Sequence, residues 1–544
     1  MPAVAADLVA RQVKLITGDR KGRDTMNCLK SKSHNFSEAL RIIALGGLLV
    51  LLPDIPVLAQ TGLPLWQRKQ APASLKTPED VVRGTAVQVN AGRLRSTNNA
   101  RFSLLMPDGR TLNVTKSGET RMPKGLVWHG KIVDEPASSV SFSVVNDTVV
   151  GSILTGRGQS FRLRRDASGV QVIEEVDLKK LPPEGEPTAV PGRRGDTPGD
   201  SAGDTCATDR PDRIDVMVVY THDALVGATS KDAMESDIYL AVDQSNQSYI
   251  NSKINQRLRL VHIAEVSYVE SGNSITDRDA LKAKADGLVD NVHTLRNTFG
   301  ADAVVMITET SDKCGRSFIM DPVGNAFEDS AFAVVARNCA TLAGKYSFPH
   351  ELGHVMSARH DWTVDNTNNA PYSYNHGHNQ VTPSSGTPWR TIMAYEDACK
   401  NAGVSCPRVL NWSNPGVSIG GDPTGIATGV QQEDNHRTLN NTALTVANFR
   451  CSVHLEKQCK GHFHTGVGKD VYAELTKTEA RELARKKWRG QVAAHDGSAW
   501  NEWSSATDKT ESCAQKGFTP QPPPVSKPIK YWECQAKARP CRQP

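Results

Sequence analysis

The spacing of apolar and polar positions changes several times along the chain. Between residues 60 and 181, short runs alternate apolar with polar residues, as in SFSVVNDTVVGSIL (141–154) and GVQVIEEVDL (169–178), and glycine-containing turns separate the runs. A period of two residues is typical of strands that bury one face. The pattern therefore predicts a β-rich unit over residues 60–181.

From residue 211 the pattern changes to alternating strands and helices. RIDVMVVYT (213–221) is apolar enough for a buried strand, and residues 232–254 repeat their apolar positions with helical spacing. RLRLVHIAEVSYV (257–269) and ADAVVMITE (301–309) predict two further strands, with a helix over residues 279–298 between them. This alternation indicates a mixed α/β fold with a twisted, mostly parallel sheet.

Two regions after the β-rich unit differ from both patterns. Residues 182–210 begin with PPEGEPTAVPGRRGD and predict a linker, in which Arg193-Arg194 is a candidate processing site. Residues 453–544 are rich in lysine, contain four cysteines and several tryptophans, and predict a small disulfide-stapled domain. Within it, EARELARKKWRGQVAAH (479–495) predicts an amphipathic helix.

Length and charge narrow the class of protein. A chain of 544 residues is too long for one ordinary core, so several domains are expected. The net charge of +5 is small for this length, and no basic stripe is present in the sequence. We therefore expect no nucleic-acid partner.

The segment before residue 60 has the layout of a secretory signal peptide. Basic residues precede an uncharged apolar run of 11 residues from Ile42 to Leu52, and small residues follow at Val57 and Ala59. The run is too short for a permanent membrane span. We expect Met26 to be the true start, residues 1–59 to be an upstream extension with the signal peptide, and the protein to be secreted.

The cysteine count agrees with export. Without Cys28 in the signal segment ten cysteines remain, an even number that indicates disulfides in an oxidising compartment. We expect local bridges between Cys314 and Cys339 and between Cys399 and Cys406. Cys206, just before the 211–452 domain, is either a structural bridge partner or an inhibitory group, and parity favours the bridge.

One motif carries most of the chemistry, HELGHVMSARHD at residues 350–361. His350 and His354 are four residues apart, so on a helix both imidazoles can reach one zinc ion. Glu351 projects from a different side of the helix, so it would not bind the metal directly but could act as a general base toward a water molecule bound to the metal. His360 completes three ligands only if the helix ends near residue 357 and the chain turns back. The open fourth position is typical of a catalytic zinc site.

This motif resembles the metzincin zinc-protease signature HExxHxxGxxHD, and IMAY (392–395) is similar to the Met-turn of that clan. The resemblance covers roughly residues 213–451 and is strongest to bacterial reprolysin-like proteases, including the peptidyl-Asp metalloendopeptidase group. It implies Zn²⁺ bound by His350, His354 and His360, Glu351 as base, and Met393 beneath the metal. In the astacin branch a tyrosine at the place of Tyr395 steadies the oxyanion, so Tyr395 is a candidate catalytic residue or a packing residue.

The chain departs from the signature at Ser357, where the family has glycine, and Pro349 precedes the first ligand. Glycine suits a left-handed turn, which costs other residues about 1 kcal/mol, a cost that serine can bear. Proline in the first helical turn removes only an amide without a partner, and Ser347 would then be the N-cap. Neither change removes a ligand or the base.

Substrate is expected to be a protein or peptide bound in extended form, added to an edge strand at AFAVVAR (331–337). A basic pocket with Arg390 or Arg337 would favour acidic side chains, whereas solvated arginines would favour none. His376 and His378 have no acidic companion in their loop and predict a polar loop rather than a second metal site. Oligomeric state cannot be predicted from the sequence.

The predicted domain order is an upstream extension with signal peptide (1–59), a β-rich propeptide (60–181), a linker (182–210), a zinc metalloprotease domain (211–452) and a C-terminal domain (453–544). This order predicts a secreted zinc endopeptidase made as a zymogen. The alternative is a secreted binding or adhesion protein that uses the protease fold as a scaffold, but the retained Glu351 argues against it.

Overall fold

The computed structural model describes ten segments of the chain, with gaps between them: residues 62–70, 77–96, 100–191, 209–384, 386–452, 458–459, 462–469, 476–496, 506–518 and 529–542. The predicted signal segment with Met26, the candidate processing site Arg193-Arg194 and Cys206 lie outside these residues.

The first unit is a ten-stranded sheet, as the alternating pattern predicts. Its strands run in the order β1-β4-β5-β6-β7-β8-β9-β10-β3-β2, and every neighbouring pair is antiparallel except β1 and β4. A short helix, α1 (Ala91–Arg95), follows β3, and a 3₁₀ turn (Leu178–Lys180) follows β10. The strands are β1 (Leu63–Pro64), β2 (Trp66–Arg68), β3 (Val81–Val89), β4 (Arg101–Leu105), β5 (Thr111–Met122), β6 (Gly125–Ile132), β7 (Ser139–Val145), β8 (Thr148–Leu154), β9 (Ser160–Arg165) and β10 (Gln171–Val176).

The second sheet is mixed and mostly parallel, again as predicted. Its strand order is β11-β15-β16-β14-β12-β13, and only the β15–β16 pair is antiparallel. The strands are β11 (Thr188–Val190), β12 (Arg213–Thr221), β13 (Arg257–Val266), β14 (Ala303–Thr308), β15 (Gly315–Met320) and β16 (Phe332–Ala336).

Helices and short loops complete the second unit. The sequence predicts one helix over residues 279–298, but the structure has two helices there: the first ends at Lys282, the second begins at Asn291, and residues 283–290 connect them without helical structure. The helices are α2 (His222–Ala228), α3 (Lys231–Asn251), α4 (Ser274–Lys282), α5 (Asn291–Phe299), α6 (Arg337–Ala340), α7 (Ser347–Val355), α8 (Asp397–Asn401) and α9 (Asn435–Ala447), with a 3₁₀ turn at Asn325–Ser330. Two small hairpins pair β17 (Asn379–Gln380) with β18 (Trp389–Arg390) and β19 (Ser418–Ile419) with β20 (Asp422–Pro423).

The two sheets share a core through helix α3. Val145 and Val150, from β7 and β8, belong to the same buried cluster as Ile238 and Val242 of α3. Polar contacts accompany this packing, for example Ser160 Oγ to the carbonyl of Ala343 at 2.6 Å. The β-rich unit is thus packed directly on the unit that carries the HELGH motif.

The edge strand differs from the sequence-based expectation. The sequence predicts an exposed edge at 331–337, but β16 lies between β14 and β15, and all five of its residues are buried. Continuous apolar residues are typical of such an interior strand. The strand outside β16 is β15, whose smaller and more polar sequence, GRSFIM, gave no such signal, and β11 forms the edge beyond β15.

The start of the predicted linker also differs. Residues 182–191 do not form a free connection, because they lie alongside β15. Strand β11, within this segment, pairs with β15 in parallel, with Thr188 opposite Phe318. Proline and glycine suggested a linker because they lower the helix and strand propensities, but main-chain hydrogen bonds to an open edge do not require an apolar face.

The C-terminal region is a small α/β unit. Strands β22 (His464–Gly468), β23 (Thr507–Phe518) and β24 (Ile529–Arg539) form a sheet in the order β22-β24-β23, and β21 (Gln458–Cys459) pairs with β25 (Cys541–Arg542). The predicted amphipathic helix is α10 (Lys477–Asp496), with Ala480, Ala484, Trp488 and Val492 buried. Within the described part of the chain, no helix combines the length and apolar character needed to cross a bilayer.

Three disulfides lie within the described residues: Cys314–Cys339, Cys399–Cys406 and Cys513–Cys534. The first two are the local bridges expected from the sequence. Cys451 is also disulfide-bonded.

Candidate active site

Helix α7 carries the first two histidines and ends where the sequence requires it to end. Ser357 adopts a left-handed conformation (φ 71°), and the amides of Ser357 and Ala358 bond to the carbonyls of His354 and Gly353 at 2.8 and 2.9 Å. This is the Schellman arrangement that normally uses glycine. The Ser357 hydroxyl donates to the Met320 carbonyl at the end of β15, at 2.7 Å, which offsets part of the conformational cost.

The beginning of the helix differs from the expectation. Ser347 is the first helical residue rather than the N-cap, and Tyr346 before it is left-handed (φ 49°). The Ser347 hydroxyl instead donates to Glu184 Oε1 at 2.9 Å. The local sequence predicts a cap at Ser347 because it does not show the acceptor, Glu184, which is 163 residues away in the chain.

The structure brings His350, His354 and His360 together. Nε2 of His360 lies 3.0 Å from Nε2 of His354 and 3.3 Å from Nε2 of His350, and all three side chains are buried. His360 reaches the cluster because the chain reverses after α7. The His360 carbonyl there accepts from His376 Nδ1 at 2.7 Å.

The tautomers of two imidazoles are fixed by backbone carbonyls. His350 Nδ1 donates to the Ile392 carbonyl at 2.9 Å, and His354 Nδ1 donates to the Ala358 carbonyl at 2.8 Å. Their Nε2 lone pairs therefore converge on one point. Burial, with the neighbouring Arg408 or His360, lowers the pKa of both imidazoles well below the ordinary value, so both are neutral at pH 7.

Converging lone pairs about 3 Å apart repel one another unless a cation lies between them. A tetrahedral zinc with Zn–N distances near 2.0–2.1 Å separates its ligand atoms by about 3.3 Å, which is close to the observed spacing. The three side chains therefore fit a transition-metal ion of this size, and the chemistry of the donor set, three imidazoles with no thiolate, suits zinc.

Glu351 lies beside the cluster, fully buried. Its Oε2 accepts from Ser317 Oγ of β15 at 2.7 Å, and its Oε1 has no hydrogen-bond partner. Desolvation, and then the negative charge of Glu184, raise the pKa of this carboxyl well above its usual range. A buried carboxylate oxygen without a partner is rare and marks a place for a polar group that the chain itself does not supply.

The Met-turn residues lie next to the histidines. Met393 is buried, and a Cβ built on Gly353 of α7 would lie 2.7 Å from its sulfur, so a larger residue there would force the neighbouring side chains to shift. The ring of Tyr395 lies 4.1 Å from that of His360 between centroids, and its hydroxyl is buried without a hydrogen-bond partner. Desolvation strongly raises the pKa of this hydroxyl, which stays protonated at neutral pH.

Sequence reasoning missed Asp361, which follows the third histidine. Its Oδ2 accepts from the Tyr395 amide at 2.8 Å and its Oδ1 from the Thr363 amide at 3.0 Å. Asp361 thus ties the residue after His360 to the Met-turn. The acid was visible in the motif as quoted, but its partner lies 34 residues further along the chain.

A basic pocket opens beside the cluster. Four basic residues line it, and Pro183, Tyr395 and three acids complete the lining; the basic residues are Lys345, Arg390, Lys400 and Arg408, and the acids are Glu184, Glu396 and Asp397. Arg390 Nε and Nη1 and Arg408 Nε are buried and lack hydrogen-bond partners. Arg337, the other arginine considered from the sequence, pairs with Glu309 Oε2 at 2.6 Å and does not line this pocket.

His376 and His378 take no part in the cluster. His376 Nε2 contacts the Thr367 carbonyl at 2.9 Å, and His378 is paired with Glu433. Their loop is polar, in agreement with the expectation, and it supports His360 through the carbonyl contact described above.

The fold is a mixed, mostly parallel sheet, and the histidines that converge after helix α7 have an acid beside them. Together these features define the class of protein as a metallopeptidase. In agreement, residues 210–405 match the family Reprolysin_5, described as metallo-peptidase family M12.

The relatives identify the branch. A peptidyl-Asp metalloendopeptidase of Stenotrophomonas maltophilia (strain K279a) is 36% identical over 369 residues, which cover 64% of this chain and 82% of the relative. One of Xanthomonas campestris pv. campestris is 35% identical over 381 residues, covering 67% and 85%. The chain belongs to this family of metalloendopeptidases and is an enzyme rather than a scaffold for adhesion.

One solved structure, titled "Structure of a chaperone-substrate complex", aligns over 55% of this chain and 43% of its own, with 14% identity and a TM-score of 0.33. Similarity this low carries no structural conclusion.

Proposed function

We propose that the protein is a secreted zinc endopeptidase, made as a zymogen, with His350, His354 and His360 as zinc ligands and Glu351 as general base. The observation that carries the proposal is the convergence of three Nε2 lone pairs beside a buried carboxylate oxygen that lacks a partner. Bound zinc would supply Lewis acidity and bring the pKa of a water molecule toward about 7.

Each residue near the cluster would then have a distinct part. Glu351 would accept a proton from the attacking water and return it to the leaving amine. Ser317, which already donates to Glu351 Oε2, would keep the carboxylate oriented. Tyr395, with its free and protonated hydroxyl, would donate to the oxyanion of the tetrahedral intermediate. Asp361 would hold Tyr395 in place through its amide.

The pocket supports a preference for acidic side chains. Buried guanidinium donors without partners are costly, and a carboxylate is the group that satisfies them best. Arg408 already binds one: its Nη1 lies 2.7 Å from Glu184 Oε1, with both side chains buried. The names of the relatives specify peptidyl-Asp cleavage, so we extend this preference to the present chain, with Arg408 and Arg390 as the residues that select the acid.

Latency is supported by the course of residues 183–190. This segment lies along the whole length of β15. The Cys314 amide donates to the Pro183 carbonyl, the Gly185 amide donates to the Gly315 carbonyl, and β11 pairs with β15. It occupies the edge on which an extended substrate would add, and Glu186 Oε2 lies 3.3 Å from His360 Nδ1. Glu184 lines the basic pocket and pairs with Arg408 there, so the segment covers the edge and occupies one of the arginines of the pocket.

Release of this segment would require a cut beyond it, and Arg193-Arg194 remains our proposed processing site. The group that closes the site is then Glu184, with its neighbours, and the role of Cys206 stays a prediction. Export is supported by the disulfides, which form in oxidising compartments.

A direct test uses the processed enzyme and paired peptides that differ only by Asp against Asn. We expect cleavage of the Asp peptide at least tenfold faster, loss of cleavage with a chelator and recovery with zinc. Zinc-independent cleavage would refute the metal mechanism, and equal rates on the two peptides would refute the acidic preference.

Latency is tested separately on the unprocessed chain. Glu184→Gln should weaken the hold of the segment, so that a quenched peptide is cleaved before processing and the segment is released faster. Glu79→Gln, at the start of the β-rich unit, is a matched control. Equal latency of the wild type and Glu184→Gln would remove Glu184 from the mechanism.

A further inference from the structure

We propose that His462, His464, His495 and Asp496 form a second site for a divalent transition-metal ion, separate from the catalytic one, in the C-terminal unit. Their four candidate ligand atoms all lie within 4.8 Å of one another. Three imidazoles and one carboxylate are a complete tetrahedral set, so the site is of the closed, structural kind.

The local sequence explains why these residues meet. On the strand side, His462, His464, Gly466 and Gly468 are spaced by two, so they face the same way. On the helix side, Ala484, Trp488, Val492 and Asp496 are spaced by four and share one stripe of α10.

Two glycines let the strand and helix approach closely. A Cβ at Gly466 would lie 2.0 Å from the Ala484 carbonyl oxygen, and one at Gly468 would lie 2.0 Å from the Ala480 carbonyl oxygen. The strand runs antiparallel to the helix, because Gly466 faces Ala484 whereas Gly468, further along the strand, faces Ala480, which is earlier in the helix. The same course therefore carries His464 and His462 to the C-terminal end of α10, where His495 and Asp496 lie.

The geometry of this cluster matches that of the catalytic one. The three ring centroids are separated by 5.1, 5.1 and 5.3 Å, compared with 4.9, 4.7 and 5.2 Å among His350, His354 and His360. Asp496 Oδ2 lies 2.8 Å from His464 Nε2 and 3.1 Å from His462 Nε2, and Oδ1 lies 3.1 Å from His495 Nδ1.

Charge also favours a cation at this position. The side chain of Asp496 is only 3% exposed, and it lies at the C-terminal end of a 20-residue helix, where backbone carbonyls add partial negative charge. Three protonated imidazoles around one carboxylate would repel each other, whereas neutral imidazoles with a single divalent ion leave a net charge of about +1. His462 and His495 are exposed, to 44% and 67% of their side-chain surface, so an ion can enter from solvent.

Bound metal would join the start of β22 to the end of α10. The unit has a small core, formed mainly by alanines with Trp488 and Val492, and small domains commonly need a disulfide or metal for stability. The ion would therefore act together with the Cys513–Cys534 bridge to stabilise this unit.

The test measures zinc per chain by elemental analysis, after the full-length protein is loaded with zinc and passed through a desalting column. The wild type should hold two ions. His464→Gln and Asp496→Asn should each hold one, while retaining α-helical circular dichroism. His462→Gln, at a residue whose side chain is partly exposed, should weaken zinc binding at this site at least tenfold without unfolding. His222→Gln, at an exposed histidine paired with Glu265, should hold two.

This experiment tests the two proposed metal sites independently of each other. His354→Gln should also hold one ion, but a different one. Unchanged stoichiometry in His464→Gln and Asp496→Asn would overturn the second site and leave the catalytic proposal intact. Loss of an ion only in His464→Gln and Asp496→Asn, and none in His354→Gln, would overturn the catalytic site instead.

Discussion

The two histidine clusters of this protein have nearly the same ring spacing and very different surroundings. The cluster of His350, His354 and His360 is fully buried, lies beside an acid that has one oxygen without a hydrogen-bond partner, and adjoins the basic pocket and strand β15. The cluster of His462, His464 and His495 is partly exposed, and its acid, Asp496, is already within reach of all three rings. Ligand geometry alone thus does not make a catalytic centre: an open position, a base and a place for substrate are also required.

The largest predicted difference between the two clusters comes from removing the general base, Glu351, of the buried one. Glu351→Gln should lower kcat/KM by about 10²–10⁴ because no other carboxylate is placed to take the proton. Zinc content should stay at two ions per chain. The measurement is peptide cleavage by the processed enzyme, together with elemental analysis.

His464→Gln in the same cleavage assay is the counterpart in the other cluster, and its kcat/KM on a short peptide should stay within about twofold of the wild type. Retention of more than a tenth of the activity by Glu351→Gln would remove Glu351 from its role. A large loss in His464→Gln would mean that the clusters are coupled.

The second prediction concerns the pocket that only the buried cluster possesses. Arg408→Gln should lower kcat/KM on an Asp peptide by about 10–100-fold, the value of one charge-assisted hydrogen bond in a buried site. Activity on the Asn peptide should change little, which separates recognition from damage to the Met-turn. Lys400→Gln, at the exposed rim of the same pocket, should cost less than about threefold. Equal losses on both peptides would contradict a specificity role.

The third prediction disturbs the exposed cluster without touching its ligands. Gly466→Ala places a Cβ against backbone atoms of α10, so the helix must shift; we expect a loss of about 1–3 kcal/mol in the stability of the C-terminal unit. Zinc affinity there should fall at least tenfold. Gly490→Ala, where a Cβ meets nothing within 4 Å on the same helix, should raise stability by up to about 1 kcal/mol. Denaturant unfolding followed by tryptophan fluorescence measures both.

The fourth and smallest effect is a pH dependence of the acidic preference. Desolvation, together with the positive charges of Arg408 and Arg390, lowers the pKa of Lys345 to about 8 against the opposing negative charges of Glu184 and Glu396. The positive charge of Lys345 is present below this pKa and is lost as the pH rises through it. In the processed enzyme Glu184 is gone, which removes one of the charges that raise this pKa.

The ratio of kcat/KM for the Asp and Asn peptides should therefore fall by about threefold between pH 6.5 and 9. A substrate carboxylate is ionised throughout this range, so it does not contribute to the change. A ratio that stays constant in the wild type, or that falls equally in Lys345→Gln, would exclude Lys345 as the cause.

Local patterns in the sequence identified most of the fold and the histidines of the candidate site. Period-two runs predicted the β-rich sheet, and the HExxH spacing required the helix that α7 forms, ending where Ser357 turns the chain. These features depend on residues close together in sequence. The local disulfides were predictable for the same reason.

The remaining features depend on contacts between distant residues. β16 was predicted as the edge because it is apolar and near the motif, but the identity of an edge depends on the order of strands, which local periodicity does not contain. Glu184 and Arg408 meet across 224 residues, and Asp361 meets Tyr395 across 34. The second cluster was missed because its histidines have no helical spacing and meet only through the close packing of β22 on α10.

The most direct measurement is anomalous X-ray diffraction at the zinc absorption edge from crystals of zinc-loaded, full-length Glu351→Gln protein. The account predicts a fully occupied ion about 2.0–2.1 Å from Nε2 of His350, His354 and His360. A second peak should lie among His462, His464, His495 and Asp496. Absence of the first peak, with the second present or not, would contradict the central claim that the buried histidines hold the catalytic metal.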